Sequence, residues 1–246
     1  MKRIISVANH KGGVGKTTSV SSLGVALSRL GKRVLLVDID PQRNLTDILS
    51  PGYSGKTIYT SLRDLSSLPI VRVGENLDLC PSSIDLVSMD LELRDVSERE
   101  YRLRRLLSGL DYDYILIDCS PTLGLLTLNA LSASTEVFIP LTPEALPAKG
   151  LGTLLDIIDR TKEAFNPDLR LGGIIITRYQ RRKINRIVEE SLRENFGELV
   201  FQTKIRENVD LSESPLSGKD IFSYSPDSNG SKDYLSLAKE ILSKLK

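Results

Sequence analysis

Five short, nearly continuous apolar runs rich in β-branched residues punctuate the chain, at 4–8, 34–37, 115–117, 137–139 and 174–176. They do not alternate between apolar and polar positions, which is the pattern of strands buried on both faces of a parallel sheet. Between them the spacing becomes helical. Val20, Leu23, Leu27 and Leu30 recur at helical intervals after the first run, and Gly31 supplies the stop. Alternating strands and helices predict an α/β fold: a doubly wound, mostly parallel sheet flanked by helices, with ligands at the carboxyl ends of the strands. The more polar stretch 54–110 predicts a short helix near 58–65, a strand near 77–80 and a longer helix around 98–107. A final helix is predicted over 232–245, with Leu235, Ala238, Ile241, Leu242 and Leu245 on one side. No linker divides the pattern, so residues 1–246 are expected to form one domain.

Composition changes this picture little. Of 246 residues, 40% are apolar and 26% charged, and the net charge of +1 means that any nucleic-acid footprint must be local. No apolar run approaches the roughly 20 residues that span a bilayer. The N-terminus enters a strand without the apolar core of a signal peptide. The cysteines, Cys80 and Cys119, make no disulfide framework and no C-x-x-C pair, which points to a reducing cytoplasm.

Chemistry enters directly after the first strand, at His10-Lys11-Gly12-Gly13-Val14-Gly15-Lys16-Thr17-Thr18. Glycines let the backbone curl so that its N–H groups face a phosphate chain, and the following helix adds its positive dipole end. Lys16 places a point charge at the β/γ-phosphates, and the Thr17 hydroxyl can ligate Mg²⁺. The common pattern G-x-x-x-x-G-K-[ST] asks for glycine where this chain has His10. In its place stands K-G-G-x-G-K-T-T, a deviant Walker A loop with Lys11 as an extra lysine. His10, the chain's single histidine, is read as an ordinary loop residue.

Two carboxylate stations follow at strand ends. Asp38 and Asp40, in Val37-Asp38-Ile39-Asp40-Pro41-Gln42, leave the second strand two residues apart. One can support a Mg²⁺ shell through water and the other can orient an attacking water. Asp118 ends the run Tyr114-Ile115-Leu116-Ile117, as does the carboxylate that supports Mg²⁺ in phosphate-loop enzymes. Cys119 beside it is read as a small buried thiol.

Together these stations resemble the deviant-Walker ATPases, and most closely the ParA/Soj partition proteins. The resemblance covers nearly the whole chain. It includes Phe138-Ile139-Pro140-Leu141-Thr142-Pro143-Glu144 and Asn208-Val209-Asp210-Leu211-Ser212-Glu213-Ser214-Pro215. It implies an ATPase that binds ATP and Mg²⁺. Lys11, Gly12, Gly13, Val14, Gly15, Lys16, Thr17, Thr18 and Asn208 would contact the nucleotide. Thr17, Asp38 and Asp118 would serve the metal, and Lys11, Lys16 and Asp40 the chemistry, with Asp40 positioning the water. The resemblance further implies a homodimer that sandwiches two ATP molecules, with Lys11 reaching the partner's nucleotide. A second cation on one loop would crowd one phosphate, whereas across an interface it acts as an arginine finger does. Non-specific DNA binding, a cytoplasmic, nucleoid-associated location and stimulation by a ParB-like centromere-binding protein are implied in the same way.

A basic station, Arg178-Tyr179-Gln180-Arg181-Arg182-Lys183-Ile184-Asn185-Arg186, holds five cations and no acid. Arg178, Arg181, Arg182, Lys183 and Arg186 are the expected DNA contacts. The helix starting there is expected to bury Ile184, Ile187, Val188, Leu192 and Phe196 and to leave Arg182 and Arg186 outside. Soj-like sequences often carry arginines before Leu-Ser-Glu. Here Glu207 and Asp210 stand there, which would shift the DNA surface towards 178–186.

Relatives with the same loop act elsewhere. MinD-type positioning ATPases use an amphipathic membrane helix, but the last helix here lacks bulky aromatics after Tyr234 and is expected to pack on the domain, without stable membrane association. Cluster carriers need bridging cysteines, tyrosine kinases of the group need a tyrosine-rich tail, and a dethiobiotin-synthetase-like enzyme needs an acid site; none of these features is present. A nucleotide-gated, barely hydrolysing DNA-coating module remains compatible with the residues. With the first strand starting within a few residues of Met1, no N-terminal helix-turn-helix and no operator binding are expected.

Overall fold

The computed structural model describes residues 2–144 and 148–244. Seven strands form one sheet: β1 (Arg3–Val7), β2 (Val34–Asp38), β3 (Val71–Gly74), β4 (Leu77–Cys80), β5 (Tyr114–Asp118), β6 (Glu136–Leu141) and β7 (Arg170–Ile176). Their spatial order is β3-β4-β2-β5-β1-β6-β7, parallel throughout except that β3 runs antiparallel to β4 at the edge. The helices are α1 (Lys16–Arg29), α2 (Asn44–Leu49), α3 (Ile58–Asp64), α4 (Met89–Glu92), α5 (Arg102–Leu107), α6 (Leu125–Ala133), α7 (Ala148–Ala164), α8 (Lys183–Phe196), α9 (Asp210–Glu213), α10 (Ile221–Tyr224) and α11 (Asn229–Ser243).

The strands' continuous apolar runs feed two cores, one on each face. Along β2, Leu35 and Val37 face the layer of α3, α5, α6 and α7, while Val34 and Leu36 face α1 and α11. Strand β5 divides likewise, Ile115 and Ile117 to one layer and Leu116 to the other. Each fully buried aliphatic side chain contributes about 1.5–3 kcal/mol. Helix α1 lies close against the sheet because Gly24 has no side chain: a Cβ there would sit 2.6 Å from a Leu36 methyl.

Register, more than any single helix, builds the functional edge. Asp38 lies opposite Asp118 across the β2–β5 pair, and Asp118 lies opposite Val7 across β5–β1. The last residues of β1, β2 and β5 therefore end on one line, beside the loop that joins β1 to α1.

Three sequence expectations need correction. Strand β3 was not expected; it pairs through a hairpin whose turn residue Asn76 takes a positive φ of 56°. The expected helix around 98–107 is a 3₁₀ turn over Arg99–Tyr101 followed by the shorter α5. On α8 the buried side is Asn185, Val188, Glu189 and Leu192, so Ile184 and Ile187 stand 41% and 47% exposed. The helix is rotated because Asn185 accepts from Gln180 N at 2.9 Å and donates to Pro143 O at 2.7 Å, and because Glu189 is drawn inward to Arg193 and Lys204. Two polar anchors on one side outweigh two isoleucines on the other. The last helix packs as expected, with Ala238 and Ile241 buried; Leu245 lies outside the described residues.

Candidate functional site

The loop between β1 and α1 is built for an anion. Gly13 and Gly15 have φ of +72° and +86°, the left-handed region that other residues enter at a cost. Helix α1 starts on Gly15 with no side-chain cap and no acid in its first turn, so its first N–H groups stay open to a ligand. The loop is pinned from below: Val14 is buried, and its carbonyl accepts from the Thr177 hydroxyl at 2.8 Å. Lys16 is buried, with its Nζ 3.3 Å from Lys11 O. Burial lowers its pKa, and the charges of Asp118 and Asp40 pull it back up. Lys11 points elsewhere. Its Nζ lies 2.7 Å from Glu144 Oε2, and both side chains are more than half exposed.

The carboxylates stand at neighbouring strand ends beside the loop. Asp38, fully buried, accepts from Asp40 N at 3.1 Å, Thr46 N at 2.9 Å and Thr46 Oγ1 at 2.7 Å. Burial raises its pKa to about 7 despite the Thr46 bonds, and Asp40 adds repulsion. Asp118 is fully buried, and neither of its oxygens has a hydrogen-bond partner. Its pKa is raised well above the usual carboxylate range by burial and by Asp38, with Thr17 and Lys16 drawing it back. Asp40 caps the next turn, accepting from Gln42 N at 3.0 Å, while its carbonyl takes the Ser82 hydroxyl at 2.6 Å.

An orphaned, buried carboxylate beside a threonine hydroxyl and a phosphate loop suits a hard cation. Among the described residues no three carboxylates, imidazoles or thiols converge on one point. A Mg²⁺ held by Thr17 and Asp118 would therefore complete its shell with phosphate oxygens and water, as that ion commonly does.

Beside the loop opens a cavity of about 330 Å³, lined by Gly13, Gly15, Thr18, Thr177, Asn208 and Tyr234 among others. Asn208 Oδ1 is buried there without a partner, free to accept from an amino group. Tyr234 closes the floor, its hydroxyl 3.0 Å from Ser19 Oγ.

Comparison with known proteins gives the family and the fold. A family model described as an AAA domain matches residues 2–171. The sporulation initiation inhibitor protein Soj of Bacillus subtilis is 43% identical over 249 residues, covering 98% of both chains. The chain belongs to the ParA/Soj family of ATPases. Among solved structures, a putative plasmid partition protein of Borrelia burgdorferi bound to AMPPNP superposes with a TM-score of 0.85 at 29% identity, covering 100% of both chains. A protein titled cobyrinic acid a,c-diamide synthase from Mycobacterium smegmatis, with bound ADP and magnesium, gives 0.86 at 36% identity, covering 100% of this chain and 96% of that one.

Within this ParA/Soj chain the basic station divides in two. Arg178, at a strained φ of 50°, lines the cavity and bonds Glu207 Oε1 at 3.2 Å. Arg181, Arg182, Lys183 and Arg186 stand on the surface around the start of α8. Arg186 reaches Glu190 at 3.5 Å, while the other three make no ion pair among the described residues. The exposed Ile184 and Ile187 share this surface.

Several positions escaped the sequence reading. Thr46 and Ser82 hold Asp38 and Asp40, yet they lie on different elements and carry no local motif. Thr177 follows β7 as a polar residue at a strand end, the same signal that marked Asp38 and Asp118, and could have been found that way. Cys119 and Cys80 are buried thiols, and burial pushes the Cys119 pKa up to about 12. The described residues include no helix long and apolar enough to cross a membrane. Helix α11 turns Tyr234, Leu237, Ala238 and Ile241 into the core rather than outward.

Proposed function

We propose that residues 1–246 act as one ATPase domain of a DNA-partition system. Two copies close over two ATP molecules, the closed dimer binds DNA without sequence preference, and slow hydrolysis releases it. A ParB-like centromere-binding partner accelerates that hydrolysis, and the protein works in the cytoplasm on the nucleoid. The observation that carries the reading is the division of labour between the two loop lysines. Lys16 is buried under its own loop, whereas the Lys11 ammonium stands outside, on Glu144. A lysine so placed suits a phosphate on a facing copy better than one in its own loop.

In this reading Lys16 and the loop N–H groups bind the β/γ-phosphates. Thr17 and Asp118 hold Mg²⁺, which would neutralise charge developing on the phosphate oxygens. Asp38, fixed by Thr46, sits behind that shell. Asp40 orients the attacking water, and Asn208 accepts from the adenine amino group. Arg181, Arg182, Lys183 and Arg186 neutralise DNA phosphates; Arg178, at the cavity mouth, is tied to Glu207 and stands at the margin of that surface. Light scattering and DNA retention, each with ATP and with ADP, test the reading. A monomer that retains DNA equally with either nucleotide would overturn it.

A further inference from the structure

The end of β4 reaches across to the Asp40 station. Val37 lies opposite Cys80 in the parallel β2–β4 pair, so the two strands end at the same level. Two residues beyond β4, Ser82 is fully buried, and both of its donors are used. Its backbone N–H donates to Thr46 Oγ1 at 2.9 Å, and its hydroxyl donates to the Asp40 carbonyl at 2.6 Å. Thr46 Oγ1 in turn donates to Asp38 Oδ2 at 2.7 Å, and Asp38 Oδ1 accepts from Asp40 N at 3.1 Å. The bonds close a ring that runs from Asp40 through Asp38, Thr46 and Ser82 back to Asp40. Every member is buried, Asp40 being the most open at 7%. A buried polar ring in which each link is made is stiff.

The ring grips the backbone of Asp40 rather than its carboxylate. The N–H and the C=O are both held, whereas of the carboxylate only Oδ1 is engaged, by Gln42 N at 3.0 Å. Oδ2 accepts no hydrogen bond among the described residues. The main chain is thus fixed while one carboxylate oxygen stays open to a water.

Satisfying the Asp40 carbonyl does not require the serine. That carbonyl also accepts from Arg43 N at 2.9 Å, so it is not left unpaired when the Ser82 hydroxyl is removed. What the hydroxyl adds is a second restraint, from a segment 42 residues further along the chain. Without it the C-terminal side of Asp40 is held only by its own turn, Asp40–Arg43, and can shift with that turn.

We propose that Ser82 is a positioning residue for hydrolysis: through the Asp40 carbonyl it fixes where the Asp40 carboxylate meets the attacking water. This role rests on Asp40 orienting that water, as proposed above.

The test compares full-length wild type, Ser82→Ala, Ser82→Cys, Asp40→Ala and Ser82→Ala/Asp40→Ala by single-turnover phosphate release with ATP and Mg²⁺. Ser82→Ala should slow release at saturating ATP about tenfold, within the scale of a displaced catalytic group. ATP affinity, the Mg²⁺ concentration for half-maximal rate and the ATP-dependent dimer should be unchanged, because the serine touches neither the phosphate loop nor Asp118. Ser82→Cys fills the same space with a weak donor and should slow release similarly; it carries the same comparison if Ser82→Ala does not fold. In the Asp40→Ala background the hydroxyl has no carboxylate to position, so Ser82→Ala should slow release no further. Wild-type release by Ser82→Ala beside a slow Asp40→Ala would overturn the role of Ser82 and leave that of Asp40 standing. An equal loss in both backgrounds would show that the serine serves the fold or another group, and would equally overturn it. So would weaker ATP binding with an unchanged maximal rate. Near-normal release by Asp40→Ala would remove the water-orienting reading itself, and the role of Ser82 with it.

Discussion

Lys11 and Glu144 lie 133 residues apart in sequence and meet at 2.7 Å beside the phosphate loop. The pair keeps the extra lysine out of its own cavity. It is exposed, so it is worth about 0–1 kcal/mol, enough to place a side chain and too little to lock it. Lys11→Ala is expected to leave ATP binding by the monomer within a few-fold of wild type and to abolish the ATP-dependent dimer. Glu144→Gln frees the lysine and should tighten that dimer by up to about fivefold, the equivalent of 1 kcal/mol. Sedimentation with ATP checks both, and a persistent Lys11→Ala dimer would show that the lysine serves its own loop.

Lys16 should behave in the opposite way. It is buried beside Asp118 and Asp40 and cannot be replaced from solvent. Lys16→Ala should lose ATP binding at least a hundredfold, as the loss of a charge-assisted phosphate contact in a confined site implies. Calorimetric titration with ATP and Mg²⁺ measures it; affinity within a few-fold of wild type would remove the loop from the site.

The Asp38–Asp118 juxtaposition makes the ligand-free protein sensitive to pH. Both folded-state pKa values are raised, Asp38 to about 7, chiefly by burial. A carboxyl with a raised folded pKa favours folding below its unfolded value near 4, and that contribution is lost as pH climbs through the folded value. Ligand-free stability should therefore fall between pH 5 and 7 by about 2–3 kcal/mol, from the 1.36 kcal/mol carried by each unit. Asp118→Asn should weaken this dependence without abolishing it, because Asp38 keeps its own burial, and should raise the ligand-free Tm at pH 7.5. Thermal melts at the two pH values decide it, and an unchanged slope in the variant would mean that the pair is not its source.

Asp40 is held at two points: its carboxylate accepts from Gln42 N, and its backbone carbonyl accepts from the Ser82 hydroxyl. Asp40→Ala should retain ATP and the ATP-dependent dimer while hydrolysis falls about 10²-fold or more, the scale of losing a positioned base or water-orienting group. Phosphate release in single turnover measures this directly. Near-normal release would place the water elsewhere.

The sheet was legible because its strands are buried on both faces and so write continuous apolar runs into the chain. The phosphate loop, Asp38 and Asp118 were legible because each follows such a run. What escaped was set by contacts between distant segments. Strand β3, half-exposed at the edge, has no core to impose a pattern. The rotation of α8 is decided by Asn185 bonding Pro143, forty-two residues earlier, and by Glu189 bonding Lys204. Periodicity counts apolar positions and does not see a buried asparagine with both of its amide atoms satisfied. The pairing of Lys11 with Glu144 is likewise invisible until β6 is laid beside β1.

That rotation sharpens the expectation for DNA. Arg182 and Arg186 were expected opposite Ile184 and Ile187, but the isoleucines are exposed beside them. The surface therefore combines cations with apolar side chains. Arg182→Glu/Arg186→Glu should remove ATP-dependent DNA binding and leave the ATP-bound dimer intact, since neither side chain supports the core. In wild type the log–log salt slope should steepen by about 0.9 for each phosphate neutralised. Ile184→Ser/Ile187→Ser should weaken binding while leaving that slope unchanged, because no charge is lost. Arg178→Ala should act differently again. Its guanidinium is tied to Glu207 at the cavity mouth, so nucleotide affinity should change before DNA affinity does. Salt titrations of DNA retention on two unrelated duplexes, run beside nucleotide titrations, separate the three outcomes. DNA binding undiminished by Arg182→Glu/Arg186→Glu would show that the start of α8 is only a solvated helix face.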